Sequence, residues 1–172
     1  MKNSARIAAL AVIAAAVSAP ALAAPVGTAV GPVSPNTNAK ASINIKKPLT
    51  LKSTQDMDFG NVTVLDAGTI SMDNTGAITC VATALTCGAT GSAATYNVTG
   101  TNNQPVTVTA PNVSLTGSNG GTLTLVLSAP TTVTLTNAGS PGTDFSIGGS
   151  IAIPASVNEG LYTGDLDITV EY

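Results

Sequence analysis

The chain has 172 residues, of which 44% are hydrophobic and only 9% are charged, and it contains no histidine. Six basic and nine acidic residues give a formal net charge of −3. Without histidine, a Ser-His-Asp or Cys-His catalytic arrangement is excluded, and the scarcity of basic residues argues against nucleic-acid binding. We therefore predict no enzyme, no catalytic residue and no cofactor.

Residues 1–23 have the pattern of a secretory signal peptide. Lys2 and Arg6 precede the apolar stretch IAALAVIAAAV, which is too short to span a membrane comfortably. The following Ala-Leu-Ala ends at Ala23, where we expect cleavage and export through the inner membrane. The mature chain then has 6 − 2 = 4 basic residues, a net charge of 4 − 9 = −5, and no transmembrane segment.

Residues 24–40 are rich in proline, glycine and small side chains, which is typical of a flexible or extended arm. Val26, Thr28 and Val30 alternate with small residues, so this arm is a possible donor strand for another subunit. Pro32 weakens that prediction because proline has no backbone N–H to donate. A plain linker is the alternative.

All bases of the mature chain lie between residues 40 and 52, and nine acids with no base follow from residue 53 onward. The lysines suit a solvated, aggregation-resistant edge strand. Alternatively, this basic region meets an acidic surface on a neighbouring copy. Within it, ASINIKK at 41–47 carries Ile43 and Ile45, so it is either a second candidate donor or the first strand of the domain itself.

From residue 41 onward, Thr, Val, Ile and Leu alternate, and turn residues recur every 8–12 positions. The pattern predicts one all-β, mostly antiparallel domain over 41–172. Ten short strands in such a length predict a β-sandwich or a barrel. The predicted strands are 41–51, 57–65, 68–72, 77–82, 93–99, 106–110, 122–128, 131–136, 145–153 and 161–171.

Cys80 and Cys87 are the two cysteines of a chain that we expect to be exported, which favours a disulfide. The bond could close a hairpin within 77–91 and would contribute about 2.5 kcal/mol by loop-entropy arithmetic. The alternatives are a free thiol pair or a metal site. The metal site lacks further cysteine or histidine ligands, so no metal is predicted.

The last predicted strand alternates with period two, which predicts one buried and one wet face. Asp165, Asp167 and Glu171 lie on the wet face. Such a strand suits a pilin-like sandwich or the closing strand of an outer-membrane barrel, for which five aromatic residues are too few to form girdles. The core-facing residues of this strand are Tyr162, Leu166, Ile168, Val170 and Tyr172.

Two stretches carry a family resemblance. DMDFGNVTV at 56–64 and FSIGGSIAIPASVNEGLYTGDLDITVEY at 145–172 resemble the secreted bacterial family named domain of unknown function 4402. The tail is also similar to the spore coat protein U-like domain of archaic chaperone–usher pilins. This likeness implies an immunoglobulin-like sandwich that is secreted and assembled into surface fibres. A periplasmic chaperone that holds the C-terminal strand and an outer-membrane usher are implied partners.

We therefore expect a non-enzymatic structural subunit of a fimbria-like fibre, which joins copies of itself or related subunits by β-strand complementation. It would be periplasmic in transit and then lie at the cell surface. The alternative is a monomeric secreted or envelope-associated adhesin module, and a small outer-membrane barrel is the remote one.

Overall fold

The computed structural model describes residues 39–172, and all regular secondary structure in that range is β-strand. Most strands are rich in Thr, Val, Ile and Leu, whose branched side chains suit a half-buried pleated surface. Every strand pairing is antiparallel, so the predicted all-β, sandwich-like fold is confirmed. The strands are β1 Thr50–Gln55, β2 Val62–Val64, β3 Gly68–Met72, β4 Ile78–Cys80, β5 Leu85–Cys87, β6 Ala94–Thr99, β7 Pro105–Thr109, β8 Val113–Gly117, β9 Thr122–Ser128, β10 Thr132–Thr134, β11 Thr143–Ile153, β12 Tyr162–Thr163 and β13 Thr169–Glu171.

The large sheet is organised around β11, the longest strand. Its order is β1-β6-β11-β9-β8-β12, with β3 and β4 attached to β11. The first half of β11 pairs with β6, whereas the second half pairs with β3 and β9. Phe145, Ile147, Ile151 and Ile153 of β11 are buried, so this strand supplies both halves of the core.

Two smaller sheets, β10-β7-β13 and β2-β5, complete the layers. Residues 44–172 form one compact unit. The first core cluster contains Ala94, Tyr96, Val98, Val106, Val108, Leu135, Phe145, Ile147 and Ile168. The second core cluster contains Ile70, Ala84, Leu85, Val113, Leu115, Leu125, Ile151 and Ile153.

The first strand begins later than predicted. β1 starts at Thr50, whereas residues 39–49 carry no strand, so the predicted strand at 41–51 is wrong over most of its length. Pro48 gives the physical reason, because it lacks an N–H for a ladder and restricts the residue before it. Residues 39–43 belong to a separate unit and are exposed throughout.

The predicted signal peptide and most of the N-terminal arm, including Val26, Thr28 and Val30, lie outside the described residues. Within residues 39–172, no helix has the length and apolar character needed to cross a membrane.

Candidate functional site: the open edge of the last strand

The predicted strand at 161–171 is two strands in different sheets. β12 pairs with β8 in the large sheet, whereas β13 pairs with β7 in the three-stranded sheet. The chain crosses between the sheets within residues 164–168. It still lies close to β8 at Gly164, where a Cβ atom would lie 2.8 Å from the carbonyl oxygen of Ser114. Leu166 packs against both core clusters at this crossing. The prediction of one continuous strand was therefore wrong, although the alternation of faces continues.

The five residues expected on the core face differ in burial. Ile168 is buried, and Leu166 and Val170 are half-buried against the first core cluster. Tyr162 is half-buried against the second cluster, with its hydroxyl donating a 2.9 Å bond to the carbonyl oxygen of Asn158. Tyr172 is 40% exposed.

The register of β7 decides which way the backbone of β13 points. The N–H of Val108 donates to the carbonyl oxygen of Thr131, on the β10 side. Because backbone groups alternate along a strand, the neighbouring Thr107 and Thr109 face β13. They lie opposite Glu171 and Thr169, so the N–H and C=O of Val170 point away from β7. We call this side of β13 the open edge, because no strand within residues 39–172 pairs with it.

The first strand provides a second edge beside the same core. β1 pairs with β6 on one side only. Three apolar side chains pack against the first core cluster and remain half-buried. They are Leu49 just before β1, Leu51 of β1 and Val170 of β13. Beside the first core cluster, β1 and β13 are thus each paired on one side, and both contribute apolar side chains that are incompletely covered.

The open edge is flanked by negative charge. Asp165, Asp167 and Glu171 are exposed on the odd-numbered face of the last segment. The sequence contains no lysine or arginine after Lys52, so no basic side chain follows β1 in the chain. The described part of the molecule therefore combines an acidic last segment with a basic segment that precedes and enters β1.

Tyr172, at the end of the acidic last segment, contacts the basic segment that precedes β1. Its hydroxyl donates a 2.7 Å hydrogen bond to the carbonyl oxygen of Lys47 and accepts one of 2.6 Å from the N–H of Thr101. The ammonium of Lys46 lies 4.4 Å from the centre of the Tyr172 ring. Gly100 leaves the necessary space, because a Cβ there would lie 2.5 Å from the hydroxyl oxygen. We call these contacts the Tyr172 anchor.

Cys80 and Cys87 lie at disulfide distance, with their Cα atoms 6.7 Å apart, as predicted. They do not close a regular hairpin, however. Cys80 ends β4, which pairs with β3 in the large sheet, whereas Cys87 ends β5, which pairs with β2. The bond therefore links two different sheets, because the turn after Cys80 carries the chain from one layer to the other.

A surface depression of 720 Å³ contains two carboxylates, those of Asp73 and Asp144. Hydrogen bonds from the hydroxyl and N–H of Thr75 and from the N–H of Ala77 lower the pKa of Asp73. The carboxylate of Asp144 accepts a bond from the side-chain amide of Asn97. Both acids thus bond to their own chain, and residues 39–172 contain no cluster of three metal-ligating side chains.

A family model described as "Domain of unknown function (DUF4402)" matches residues 49–172. No curated protein and no solved structure matches the chain. The matched region begins one residue before β1, contains every strand of the fold, and includes both stretches that carry the sequence resemblance. Since it spans well over half of the sequence, the chain belongs to the DUF4402 family.

Proposed function

We propose that this protein is a non-enzymatic structural subunit of a bacterial surface fibre, in which copies join by β-strand complementation at the open edge. The observation that carries the proposal is the orientation of Val170. Its N–H and C=O point away from β7, and its side chain lies only half-buried over the first core cluster. An added strand would satisfy the backbone groups and cover the apolar side chains together.

The chemistry of the edge agrees with this role. An unpaired strand edge templates pairing with other chains, and natural proteins protect such edges with charge or with very short strands. β13 has only three residues, and acidic side chains lie beside it. These features would keep a single subunit soluble until a matching strand arrives.

The partners that we propose are other copies of this chain or related subunits. During export through the periplasm, a chaperone would cover the open edge, and an outer-membrane usher would exchange that chaperone for the next subunit. The mature protein would then lie at the cell surface.

The proposal is tested by blocking the open edge with proline. Val170→Pro removes the N–H that points away from β7, so the pairing with β7 is retained while strand addition is blocked. Thr132→Pro is the matched control. It lies opposite Thr107 at the first position of β10, on the other edge of the same sheet, where its N–H also points away from β7.

Each variant is exported in cells that contain the assembly machinery, and unboiled samples are separated in SDS. We expect heat-sensitive, SDS-resistant ladders from the unmodified protein and Thr132→Pro, and monomer alone from Val170→Pro. Circular dichroism establishes that both variants are folded. If the unmodified protein stays monomeric under these conditions, the proposal of a fibre subunit is wrong and the adhesin module is favoured.

A further inference from the structure

We infer that residues 40–47 of a second copy enter the open edge, rather than residues 24–40; this inference rests on the proposed function. We call residues 40–47 the donor segment. It contains the side chains that a donor needs, and it lies directly before the body of the sandwich. Its apolar face, its charges and its attachment each favour this role.

The donor segment has the alternation of a strand without having a strand partner. Ile43 and Ile45 are 83% and 81% exposed, with Ser42 and Asn44 at the intervening positions. Isoleucine favours strands, and a period-two apolar pattern is typical of a strand with one buried face. The donor segment pairs with no strand in the described subunit, and its two isoleucines are exposed to water. These side chains therefore have no packing role within residues 39–172.

The charges of the donor segment match those of the open edge. Lys40 and Lys46 occupy even positions and fall on the face opposite to the isoleucines, whereas Lys47, at the end of the segment, falls on the isoleucine face. On β13 and the residues before it, the exposed acids likewise occupy the face opposite to Ile168 and Val170. If the isoleucines cover the core beside Val170, Lys40 therefore shares the wet face with the acids, where opposite charges attract, whereas Lys46 lies over the Tyr172 ring of its own subunit. The acids are Asp165, Asp167 and Glu171.

The Tyr172 anchor sets where the donor segment is attached. It bonds the backbone of Lys47 next to the end of β13, while Ile45 two residues earlier stays exposed. In each subunit, the point at which the donor segment joins the sandwich therefore lies at the same end as the open edge. A donor that pairs with the edge of the next copy without reciprocal exchange makes a heterologous contact, and repetition of such contacts gives an open chain where the rotation between copies does not close a ring.

The inference is tested first with side chains that are exposed in the single subunit. Ile43→Ser with Ile45→Ser removes the apolar face of the donor segment, whereas Ser42→Ala with Asn44→Ala changes the opposite face. In the unboiled SDS assay, we expect the ladders to disappear with the isoleucine variant and to persist with the control. Ladders of undiminished length from the isoleucine variant would overturn the inference.

A cross-linking experiment separates this inference from the proposed function. Full chains carrying Asn44→Cys are co-exported with chains carrying Thr169→Cys, which lies on the wet face of β13, and a short bis-maleimide is added. We expect a cross-linked pair that depends on both cysteines and is absent when Val126→Cys, on the exposed face of β9, replaces Thr169→Cys.

The same experiment with Thr28→Cys in place of Asn44→Cys tests the earlier arm. If Thr28→Cys links to Thr169→Cys and Asn44→Cys does not, the donor lies in residues 24–40. The inference then fails, whereas the proposed fibre function is retained. If neither donor links and no ladder forms, both the inference and the proposed function fail.

Discussion

The hydroxyl of Tyr172 donates a 2.7 Å hydrogen bond to the carbonyl oxygen of Lys47, 125 residues earlier in the chain. The same hydroxyl oxygen accepts from the N–H of Thr101, between β6 and β7. The side chain of Tyr172, the residue after β13, therefore contacts both the segment before β1 and the connection between the two larger sheets. This is the end of the sandwich where the proposed donor is attached.

Tyr172→Phe is expected to lower the free energy of unfolding by about 1–2 kcal/mol, because it removes one donor and leaves the Thr101 N–H without its acceptor. Urea unfolding measures this loss. Hydrogen exchange at the Thr101 amide should become faster. Tyr162→Phe is the control, since its hydroxyl makes a single bond, to the carbonyl oxygen of Asn158, and we expect it to cost less. Equal losses for both variants would contradict the role of the anchor.

Gly164→Ala is expected to destabilise the fold by about 1–3 kcal/mol, because overpacked sites must shift their neighbours. The new Cβ would lie 2.8 Å from the Ser114 carbonyl oxygen and 3.0 Å from a methyl of Leu115. Gly139→Ala is the control, since no atom lies within 4 Å of the position that its new methyl group would occupy. Thermal unfolding compares the two. A neutral Gly164→Ala would mean that the chain does not approach β8 closely at the sheet crossing.

Replacing both cysteines, Cys80→Ser with Cys87→Ser, is expected to cost about 2.5 kcal/mol, the loop-entropy value for so short a closed loop. Urea unfolding of the oxidised protein and of the variant measures the difference. Reduction of the unmodified protein should reproduce it. Two thiols that react with a maleimide in the native, unreduced protein would show that the bond is not formed.

Asp73 should make stability depend on acid pH. Its folded-state pKa is lowered chiefly by the side-chain hydrogen bond from Thr75, so its contribution is present above the ordinary carboxyl value of 3.8. The contribution is lost as the pH falls from that value through the lower folded-state pKa. Asp73→Asn should therefore be less stable than the unmodified protein near neutral pH, and the difference should shrink in strong acid. A constant difference across the titration would contradict this role of Asp73.

Alternation in the sequence predicted β3 and β9 with the bounds that the structure has, because each strand has a clear turn on either side. β8 was missed although Val113 and Leu115 alternate with polar residues. β5 was missed because three residues are too few to show a period. The last segment kept its alternation across the sheet crossing, so the pattern contained no sign that the strand divides between Thr163 and Thr169.

The candidate site was only partly predictable. The acidic last segment, the lysines before residue 53 and the alternating positions of Ile43 and Ile45 are visible in the sequence, whereas the exposure of the two isoleucines is not. The open edge is not, because the direction of the Val170 backbone depends on which residues of β7 face β10. That information lies in the register between strands distant in the chain, and no local pattern contains it.

The central claim is that the N–H of Val170 has no strand partner within residues 39–172 of a single subunit and is bonded in the assembly. Residue-resolved hydrogen exchange at this amide, in the isolated subunit and in the assembled material, tests it most directly. We predict rapid exchange in the subunit and strong protection after assembly, with the Thr132 amide exchanging equally in both. Rapid exchange of Val170 in the assembled material would contradict strand addition at this edge.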